Sequence, residues 1–380
     1  MPVTWEPLRG PSHALALDVL LHGPLSRVEL ARRLDLSAPS LSRLTKPLVD
    51  SGLLVEVDEN RSRDPRLGRP QRPLDVVPDA HHFIGIKLTG DVAYGVITTL
   101  RADVVTSAER PLPSTDPDAT VAVIAELAVA LADSAPSVTA LGISIGGRSP
   151  DHSLVSSAPF LDWTDVPFGS MVEAATGLPV VVENDLVALT EAEHWFGAGR
   201  DARRFAVVTI GAGVGYGLVV GGQVVTGIDA GFGPVGHIPL NPNGPVCFAG
   251  HRGCSTAMLS IPAICAQASA ALGRTLGYDE VLDLAAAGDP AARRVVDDAG
   301  HALGLLCALV GNLTMPEKIV LSGEGIRLVE VARPAIDEAI MEVRDIRAEP
   351  LDLVIRPGDF SQWARGAAVM AIQTYVLGTD

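Results

Sequence analysis

A glycine- and proline-rich stretch at residues 231–254 constrains the fold more than any other part of the sequence. It reads GFGPVGHIPLNPNGPVCFAGHRGC, which excludes a regular helix or strand along its length. It brings His237, Cys247 and Cys254 into one loop, and imidazole and thiolate groups at short spacing are the donors of a tetrahedral zinc site. We therefore predict that the loop binds zinc, with His251 or a water as the fourth ligand. The alternative is two unrelated cysteines and a histidine bonded to the backbone.

Composition places the chain among α/β proteins of two or three domains, since it has 380 residues of which 47% are hydrophobic. Its four cysteines are too few for a disulfide framework and indicate a reducing compartment. The N-terminal residues lack the pattern of a secretion signal, and no apolar run reaches the roughly 18 residues that predict a membrane span. We expect a cytoplasmic protein without membrane contact.

Charge is distributed unevenly along the chain. Residues 1–77 contain 11 Lys/Arg and 10 Asp/Glu, whereas the remainder contains 18 and 35. Within the first part, residues 61–72 contain five arginines and one aspartate. A local basic segment of this kind suits a phosphate backbone. The division predicts a small DNA-binding head on an acidic body.

The head contains the pattern of a helix-turn-helix. A first helix is predicted at residues 13–21, ending at Gly23-Pro24. Ser26 and Glu29 form a capping box for a short second helix. Ser37 caps a third helix, whose buried face we assign to Leu41, Leu44 and Leu48.

Polar and basic side chains of the third helix and of the hairpin that follows are candidate DNA contacts. The outward face of the helix carries Ser40, Ser42, Arg43 and Lys46, which are groups that reach base edges and phosphates in a major groove. Residues 53–57 and 74–77 are predicted as paired strands. The loop between them has the character of a basic wing, because it contains Arg61, Arg63, Arg66, Arg69 and Arg72.

Strands and helices alternate from residue 83 onward, as in α/β folds. Three strands, a helix and a buried strand ending at Gly146-Gly147 are followed by a strand that continues into Glu183-Asn184-Asp185 and a helix. From residue 205 a similar order repeats. The pattern predicts two similar lobes of the actin or sugar-kinase type, with a cleft between them.

Two features of this body are candidate ligand contacts. Asp185 could accept the proton of a substrate hydroxyl while Asn184 binds another hydroxyl, but Asn and Asp are also ordinary helix caps. The turn GAGVGYG at residues 211–217 includes Gly213 and leaves backbone amides open to a phosphate or a sugar. Its alternative is a tight hairpin that requires positive φ.

Taken together, these motifs resemble the ROK family, which comprises repressors, open reading frames and sugar kinases. The anchors are residues 183–185, residues 211–217, Gly236-His237, and CFAGHRGC at residues 247–254. GRPQRPL at residues 68–74 is similar to the wing of the repressor branch. The resemblance covers essentially the entire chain.

The resemblance implies an α/β architecture of a winged helix-turn-helix followed by a two-lobed actin-like body. We place the winged helix at residues 1–78. The first lobe is predicted at residues 79–196 with 361–380. The second lobe, at residues 197–360, is expected to hold the metal loop and an oligomerisation surface.

The resemblance also assigns roles to individual residues. Asn184 matches a sugar contact, Asp185 matches the catalytic base, and His237 matches a residue shared by the metal and the sugar. Cys247 and Cys254 match two of three zinc cysteines. Gly146, Gly147 and Gly213 complete the predicted ligand-binding set.

The departures from the family pattern favour a regulator over an enzyme. Kinases of the family have an acidic, glycine-rich phosphate turn where this chain reads Gly85-Ile-Lys-Leu-Thr89. The middle zinc cysteine is Ala249, and two sugar-contacting glutamates are Pro234 and Thr256. We therefore treat Asp185 as a vestigial base.

We accordingly predict a cytoplasmic transcription regulator, a repressor of genes for carbohydrate use. A homodimer or tetramer would bind a palindromic double-stranded DNA operator, and a sugar or sugar derivative in the cleft would control it. One alternative is a sugar kinase with an appended DNA-binding domain. Another is a regulator controlled by a protein partner.

Overall fold

The computed structural model describes residues 8–57, 72–227, 229, 233–356 and 358–378. By its packing the chain divides into two units. The first runs to Ala188 and resumes at Trp363, and the second comprises Leu189–Gln362. The finer division of the first unit into a winged helix and a lobe remains a prediction at the boundaries given above.

The N-terminal part of the first unit has the predicted helix-turn-helix order. Its elements are α1 (Gly10–His22), α2 (Arg27–Arg33), α3 (Ala38–Asp50), β1 (Leu54–Glu56) and β2 (Leu74–Val76). Both predicted caps form, because the Ser26 hydroxyl accepts from the Glu29 amide at 3.2 Å and the Ser37 hydroxyl accepts from the Ser40 amide at 3.3 Å. The two strands pair antiparallel, with Leu54 opposite Val76. They form the base of the predicted wing.

The buried stripe of α3 differs slightly from the predicted one. Leu41 and Leu48 are buried as expected, but the third buried residue is Thr45, and Leu44 is half-buried. Positions four and three residues apart lie on one face of a helix, so the buried face passes through position 45 instead of position 44. The helix continues through Pro47, whose carbonyl accepts from the amide of Ser51 at 2.9 Å.

The remainder of the first unit is built on a five-stranded sheet in the order β5-β4-β3-β6-β9. Strands β3, β4 and β5 run antiparallel, and β3, β6 and β9 run parallel. The elements are β3 (Phe83–Leu88), β4 (Val92–Thr98), β5 (Val104–Pro111), α4 (Pro117–Ala132), β6 (Ala140–Ile145), β7 (Val155–Ala158), β8 (Trp163–Val166), α5 (Phe168–Thr176), β9 (Val180–Asn184) and α6 (Asp185–Phe196). The short hairpin β7-β8 and helix α5 were not predicted from the sequence.

The second unit repeats the same sheet topology, with strands in the order β12-β11-β10-β13-β14. Three strands of it are antiparallel and three are parallel, sharing β10. The elements are β10 (Arg204–Ile210), β11 (Val214–Val220), β12 (Gln223–Val224), α7 (Ser255–Leu259), α8 (Ile261–Leu272), α9 (Tyr278–Ala286), α10 (Pro290–Thr314), β13 (Lys318–Ser322), α11 (Leu328–Val331), α12 (Arg333–Val343) and β14 (Leu353–Ile355). The predicted repeat of one lobe pattern is therefore present in the backbone.

Helix α13 (Phe360–Ile372), which a π-helical segment at Gln373–Leu377 follows, packs against the sheet of the first unit from Trp363 onward. Two strand glycines permit this close approach. A Cβ on Gly85 would overlap the carbonyl oxygen of Ala364, and a Cβ on Gly142 would overlap that of Ala367. Bare backbone at these two positions thus fixes how near α13 lies to β3 and β6.

None of the described helices is long and apolar enough to cross a membrane.

Candidate DNA-binding face, ligand residues and metal centre

The exposed side of α3 carries most of the predicted DNA contacts. Ser42, Arg43 and Lys46 are exposed, and the three lie on one helical face because Lys46 follows the other two by four and three residues. Ser40 differs, since its amide and its hydroxyl both bond the Ser37 hydroxyl, at 3.3 and 2.9 Å. Ser40 therefore belongs to the helix cap as well as to the candidate contact surface.

Only one of the predicted wing arginines falls within the described residues. Arg61, Arg63, Arg66 and Arg69 lie in the segment 58–71, outside them. Arg72 is at the base of the hairpin, where its guanidinium is 3.7 Å from the Glu56 carboxylate. Arg27 bonds the same carboxylate at 2.7 Å. Glu56 thus offsets part of the positive charge at this point.

The most consequential ion pair in the first unit joins Lys87 to Asp185. The ammonium of Lys87 on β3 donates to the carboxylate at the start of α6, and the two side chains are only 7% and 19% exposed. The same ammonium lies 5.4 Å from the ring centre of Trp363, within cation–π range. The candidate base is therefore occupied by a buried cation from its own chain.

Lys87 was not among the predicted site residues. The available signal was a single charge within the otherwise apolar strand FIGIKL at residues 83–88, because a buried charge requires a partner. The identity of that partner, 98 positions away, is a property of the fold.

Asn184 performs the capping role that the sequence left open. Its side-chain oxygen accepts from the amides of Leu186 and Val187 at 3.0 and 3.1 Å. Its side-chain nitrogen donates to the carbonyl of Gly147 at 2.9 Å. The amide therefore joins the end of β6 to the start of α6, and a sugar contact by Asn184 remains a prediction.

Gly146 and Gly147 lie where the backbone is crowded. A Cβ on Gly147 would overlap the carbonyl oxygen of Ser157, and one on Gly146 would lie 3.0 Å from the Phe160 ring and 3.6 Å from the Asp185 carboxylate. Glycine at these positions keeps the chain close to the candidate base. The structure thus groups Gly146, Gly147, Asn184 and Asp185 within the first unit.

A second titratable pair adjoins this group. The Nδ1 atom of His152 lies 3.1 Å from the Glu183 carboxylate, and the hydrogen bond to Glu183 is the main reason that the pKa of His152 is raised above its usual 6.5. The His152 carbonyl also accepts from the Val182 amide at 2.7 Å. His152 was not predicted, because nothing in its sequence neighbourhood indicates Glu183.

The glycine-rich turn in the second unit has a carboxylate against it. Gly211 to Gly213 close the hairpin between β10 and β11, with Gly211 donating to the Gly213 carbonyl at 2.9 Å. The Glu324 carboxylate accepts from the Ala212 amide at 3.4 Å, and a Cβ on Gly211 would lie 2.5 Å from it. The Glu324 carboxylate thus lies beside the backbone amides that a phosphate would have to bind.

The turn does close a hairpin, but its glycines do not adopt the positive φ that we predicted for that alternative. The positive-φ glycines of the described residues do not include those at positions 211, 213, 215 and 217. Close approach accounts for Gly211, as above, and for Gly217, where a Cβ would overlap the Thr190 hydroxyl. Gly213 has open space beside it, which suits a ligand contact but does not test it.

The predicted metal ligands converge. The donor atoms of His237, Cys247 and Cys254 all lie within 4.8 Å of one another. The Nδ1 atom of His237 is 3.7 Å from the Cys247 sulfur and 3.8 Å from the Cys254 sulfur. Zn–S and Zn–N bonds of about 2.3 and 2.0 Å at tetrahedral angles give donor separations of about 3.6 Å. The donor set therefore fits a zinc ion in chemistry and in spacing.

The backbone of the loop surrounds the Cys247 thiol with hydrogen-bond donors. Partial burial works to raise the pKa of Cys247, but hydrogen bonds from the amides of Ala249, His251 and Gly250, with Cys254, hold it below its usual value. Burial, followed by the contact with Cys247, raises the pKa of Cys254. A thiolate is the form that binds a metal, and the backbone amides around Cys247 favour that form.

Comparisons with known proteins agree with this arrangement. The ROK family model matches residues 83–374, and the MarR family model matches residues 10–63. The DNA-binding transcriptional repressor Mlc of Escherichia coli is 25% identical over 335 residues, 84% of this chain and 82% of the relative. The N-acetylglucosamine repressor of another E. coli strain is 27% identical over 337 residues, covering 84% and 81%.

A solved structure extends the likeness to nearly the whole chain. It is a ROK family transcriptional regulator described as a homolog of the E. coli Mlc protein. It matches with a TM-score of 0.79 and 26% identity, covering 96% of this chain and 98% of the other. The predicted combination of a helix-turn-helix domain with a ROK-type α/β body is confirmed.

Proposed function

Because the chain belongs to the ROK family, we propose that it is a DNA-binding transcription regulator that represses genes of carbohydrate use. The observation that carries the proposal is the exposed face of Ser42, Arg43 and Lys46 on a capped helix of a helix-turn-helix. Small hydroxyls and cations on such a helix suit base edges and phosphates. The repressor names of its relatives support the same function.

We propose a sugar or sugar derivative as the effector. The relative named for N-acetylglucosamine supports this class of ligand. The predicted contacts are Gly146, Gly147, Asn184, Asp185, Gly213 and His237. Because Pro234 and Thr256 supply no carboxylate, a simple hexose would lose charge-assisted hydrogen bonds of about 1.5–3 kcal/mol each there. The proposed effector is therefore one that does not depend on those two contacts.

We further propose that the protein is not a kinase. A general base must receive a proton from the attacking hydroxyl, but one of the two Asp185 carboxylate oxygens already accepts from the Lys87 ammonium. A nucleotide phosphate would also meet the Glu324 carboxylate at the glycine turn, and like charges at contact repel. Transfer of phosphate from ATP to a hexose, abolished by Asp185→Asn, would contradict this part of the proposal.

His237, Cys247 and Cys254 are proposed to hold a structural zinc ion. Such an ion would fix the loop after residue 233, which contains little regular structure of its own.

We also propose that the protein binds a palindromic operator as a homodimer or tetramer, within the cytoplasm.

The test is fluorescence anisotropy of the protein on its own upstream DNA at a fixed salt concentration. The titrated ligands are N-acetylglucosamine, glucose, xylose and their 6- or 5-phosphates. Specific binding that one of these ligands releases would establish both parts of the proposal. Binding that none of them alters would retain the DNA-binding function but contradict the sugar effector. The absence of any sequence preference would contradict the regulator itself.

A further inference from the structure

We propose that His251 supplies the fourth protein ligand of the metal site, in place of the cysteine that Ala249 lacks. This inference rests on the proposed binding of zinc by His237, Cys247 and Cys254. In this arrangement two thiolates and two imidazoles fill the four coordination positions, so no water molecule is a ligand.

The backbone brings His251 and Cys247 face to face across a tight turn. The amide of Cys247 donates to the carbonyl of His251 at 2.9 Å, and the amide of Gly250 donates to the carbonyl of Cys247 at 2.9 Å. Gly250 has φ +85°, which a glycine adopts without strain. Val246 and Arg252 pair as an antiparallel bridge on either side. Cys247 and His251 therefore lie opposite each other across the turn.

The second imidazole lies at ligand spacing from the Cys247 thiol. The Nδ1 atom of His251 is 3.8 Å from the Cys247 sulfur, nearly the 3.7 Å that separates the same sulfur from His237. The rings of the two histidines are adjacent, with centroids 4.6 Å apart. Two imidazoles thus approach one thiol at the separation expected of ligands that share an ion. The donors that already lie within 4.8 Å of one another are those of His237, Cys247 and Cys254, so the proposal requires the His251 side chain to turn toward them when the ion binds.

The loop offers few other donors. Residues 233–256 contain no aspartate or glutamate and no cysteine besides those at positions 247 and 254. Ala249 has no donor atom. Among the side chains that bind zinc well, His251 is the one left over in this segment.

Electrostatics favours this donor set over the family pattern in this chain. Two thiolates and two neutral imidazoles around Zn²⁺ give a complex of zero net charge, whereas three thiolates and one imidazole give a net negative one. The chain already has a formal charge of −16. A neutral site avoids adding a further negative charge to the protein.

The test uses the full-length protein loaded with Co²⁺ or Zn²⁺. We expect His251→Ala to weaken Zn²⁺ binding about 100-fold or more in competition with a chromogenic chelator, since even outer partners of a ligand are worth 10–100-fold. The Co²⁺ absorption spectrum should lose intensity, because water would enter and raise the coordination number.

Two further variants keep the test decisive. Ala249→Cys added to His251→Ala should restore tight four-coordinate binding, which separates ligand loss from misfolding of the loop. His301→Ala, which removes a surface histidine paired with Glu342 in the same unit, should leave both readouts unchanged. Circular dichroism of each variant checks its folding.

The outcomes distinguish this inference from the proposal beneath it. Unchanged affinity and an unchanged spectrum in His251→Ala would overturn the inference and make water the fourth ligand. Failure of the wild type to bind either ion, with binding acquired only on introduction of Ala249→Cys, would overturn zinc binding in the native protein and the role of His251 with it.

Discussion

Arg101, in the turn between β4 and β5, forms a salt bridge with Asp75 on β2. The same guanidinium lies 3.4 Å from the carbonyl of Gly23, at the end of α1. Arg365 stabilises this turn, because its guanidinium donates to the Ala102 carbonyl at 2.7 Å. One arginine of the sheet thus contacts both a wing strand and the end of a helix in the DNA-binding part.

We predict that Arg101→Ala loosens the helix-turn-helix from the sheet. The bond to Asp75 is charge-assisted and only partly exposed, so its loss should cost about 1.5–3 kcal/mol. Hydrogen exchange of α1 amides should accelerate more than exchange in β3 or β6. Arg110→Ala, at an exposed position on the neighbouring strand, is the control. Equal exchange in the two variants would mean that the bridge contributes nothing to docking.

Lys87→Met should destabilise the protein more than most single substitutions. It leaves the Asp185 carboxylate without its buried partner, and breaking such a pair costs about 3–5 kcal/mol. Replacing both partners, as Lys87→Met with Asp185→Leu, should recover much of the loss because no buried charge is left unpaired. Urea unfolding measures both values.

The matched control for this pair is Lys318→Met, which removes a lysine at the start of β13 in the second unit. It should change the free energy of unfolding far less. If Lys87→Met lowers the free energy of unfolding no more than the control does, the ion pair does not contribute to stability.

Arg43 and Lys46 should affect DNA binding in different ways. Arg43→Ala should weaken binding by about 1–3 kcal/mol and relax the preference at one base pair if the guanidinium reads a base. Lys46→Ala should weaken all sequences alike and reduce the slope of log K against log salt by about 1 if the ammonium neutralises a phosphate. Arg200→Ala, an exposed arginine of the second unit, should do neither. Identical effects from Arg43 and Lys46 would contradict the division of roles.

The pair of His152 and Glu183 predicts a pH dependence with a definite sign. The folded protein holds the pKa of His152 above 6.5 because of its bond to Glu183. The pair's stabilisation is therefore complete below pH 6.5 and is lost as the pH rises through the raised pKa. NMR titration should show the His152 pKa falling toward 6.5 in Glu183→Gln. The pKa of His81, which burial lowers, serves as the internal reference and should not move. A His152 pKa insensitive to Glu183→Gln would rule out the pair as the cause.

Local features of the fold were predictable from the sequence. Ser26 and Ser37 cap helices because a hydroxyl and an amide three residues apart meet wherever a helix starts. The strands of the two five-stranded sheets followed from periodicity. The loop of His237, Cys247 and Cys254 followed from spacing, since the donors lie in one short segment.

Contacts between distant residues were not predictable. Lys87 meets Asp185, and Glu324 meets the turn at Gly211, only after two sheets have assembled. Hairpin β7-β8 and helix α5 have short patterns that no periodicity marks. The roles of Asn184 and Gly213 toward a ligand stay predictions, because their chemistry is shared by caps and by binding sites.

The two glycines under α13 have a mechanical consequence. At Gly85 and Gly142 no side chain of the sheet separates α13 from the strand backbone, so a tilt of the helix toward the sheet would meet backbone atoms at once. The first turn of this helix contains Trp363, whose ring lies beside the Lys87 ammonium. Beyond the end of α13 the chain continues as a π-helical segment, Gln373–Leu377, where the Val376 carbonyl accepts from the Leu8 amide, just before α1. One continuous helical segment therefore joins the residue beside the Lys87–Asp185 pair to the chain that enters the DNA-binding helices.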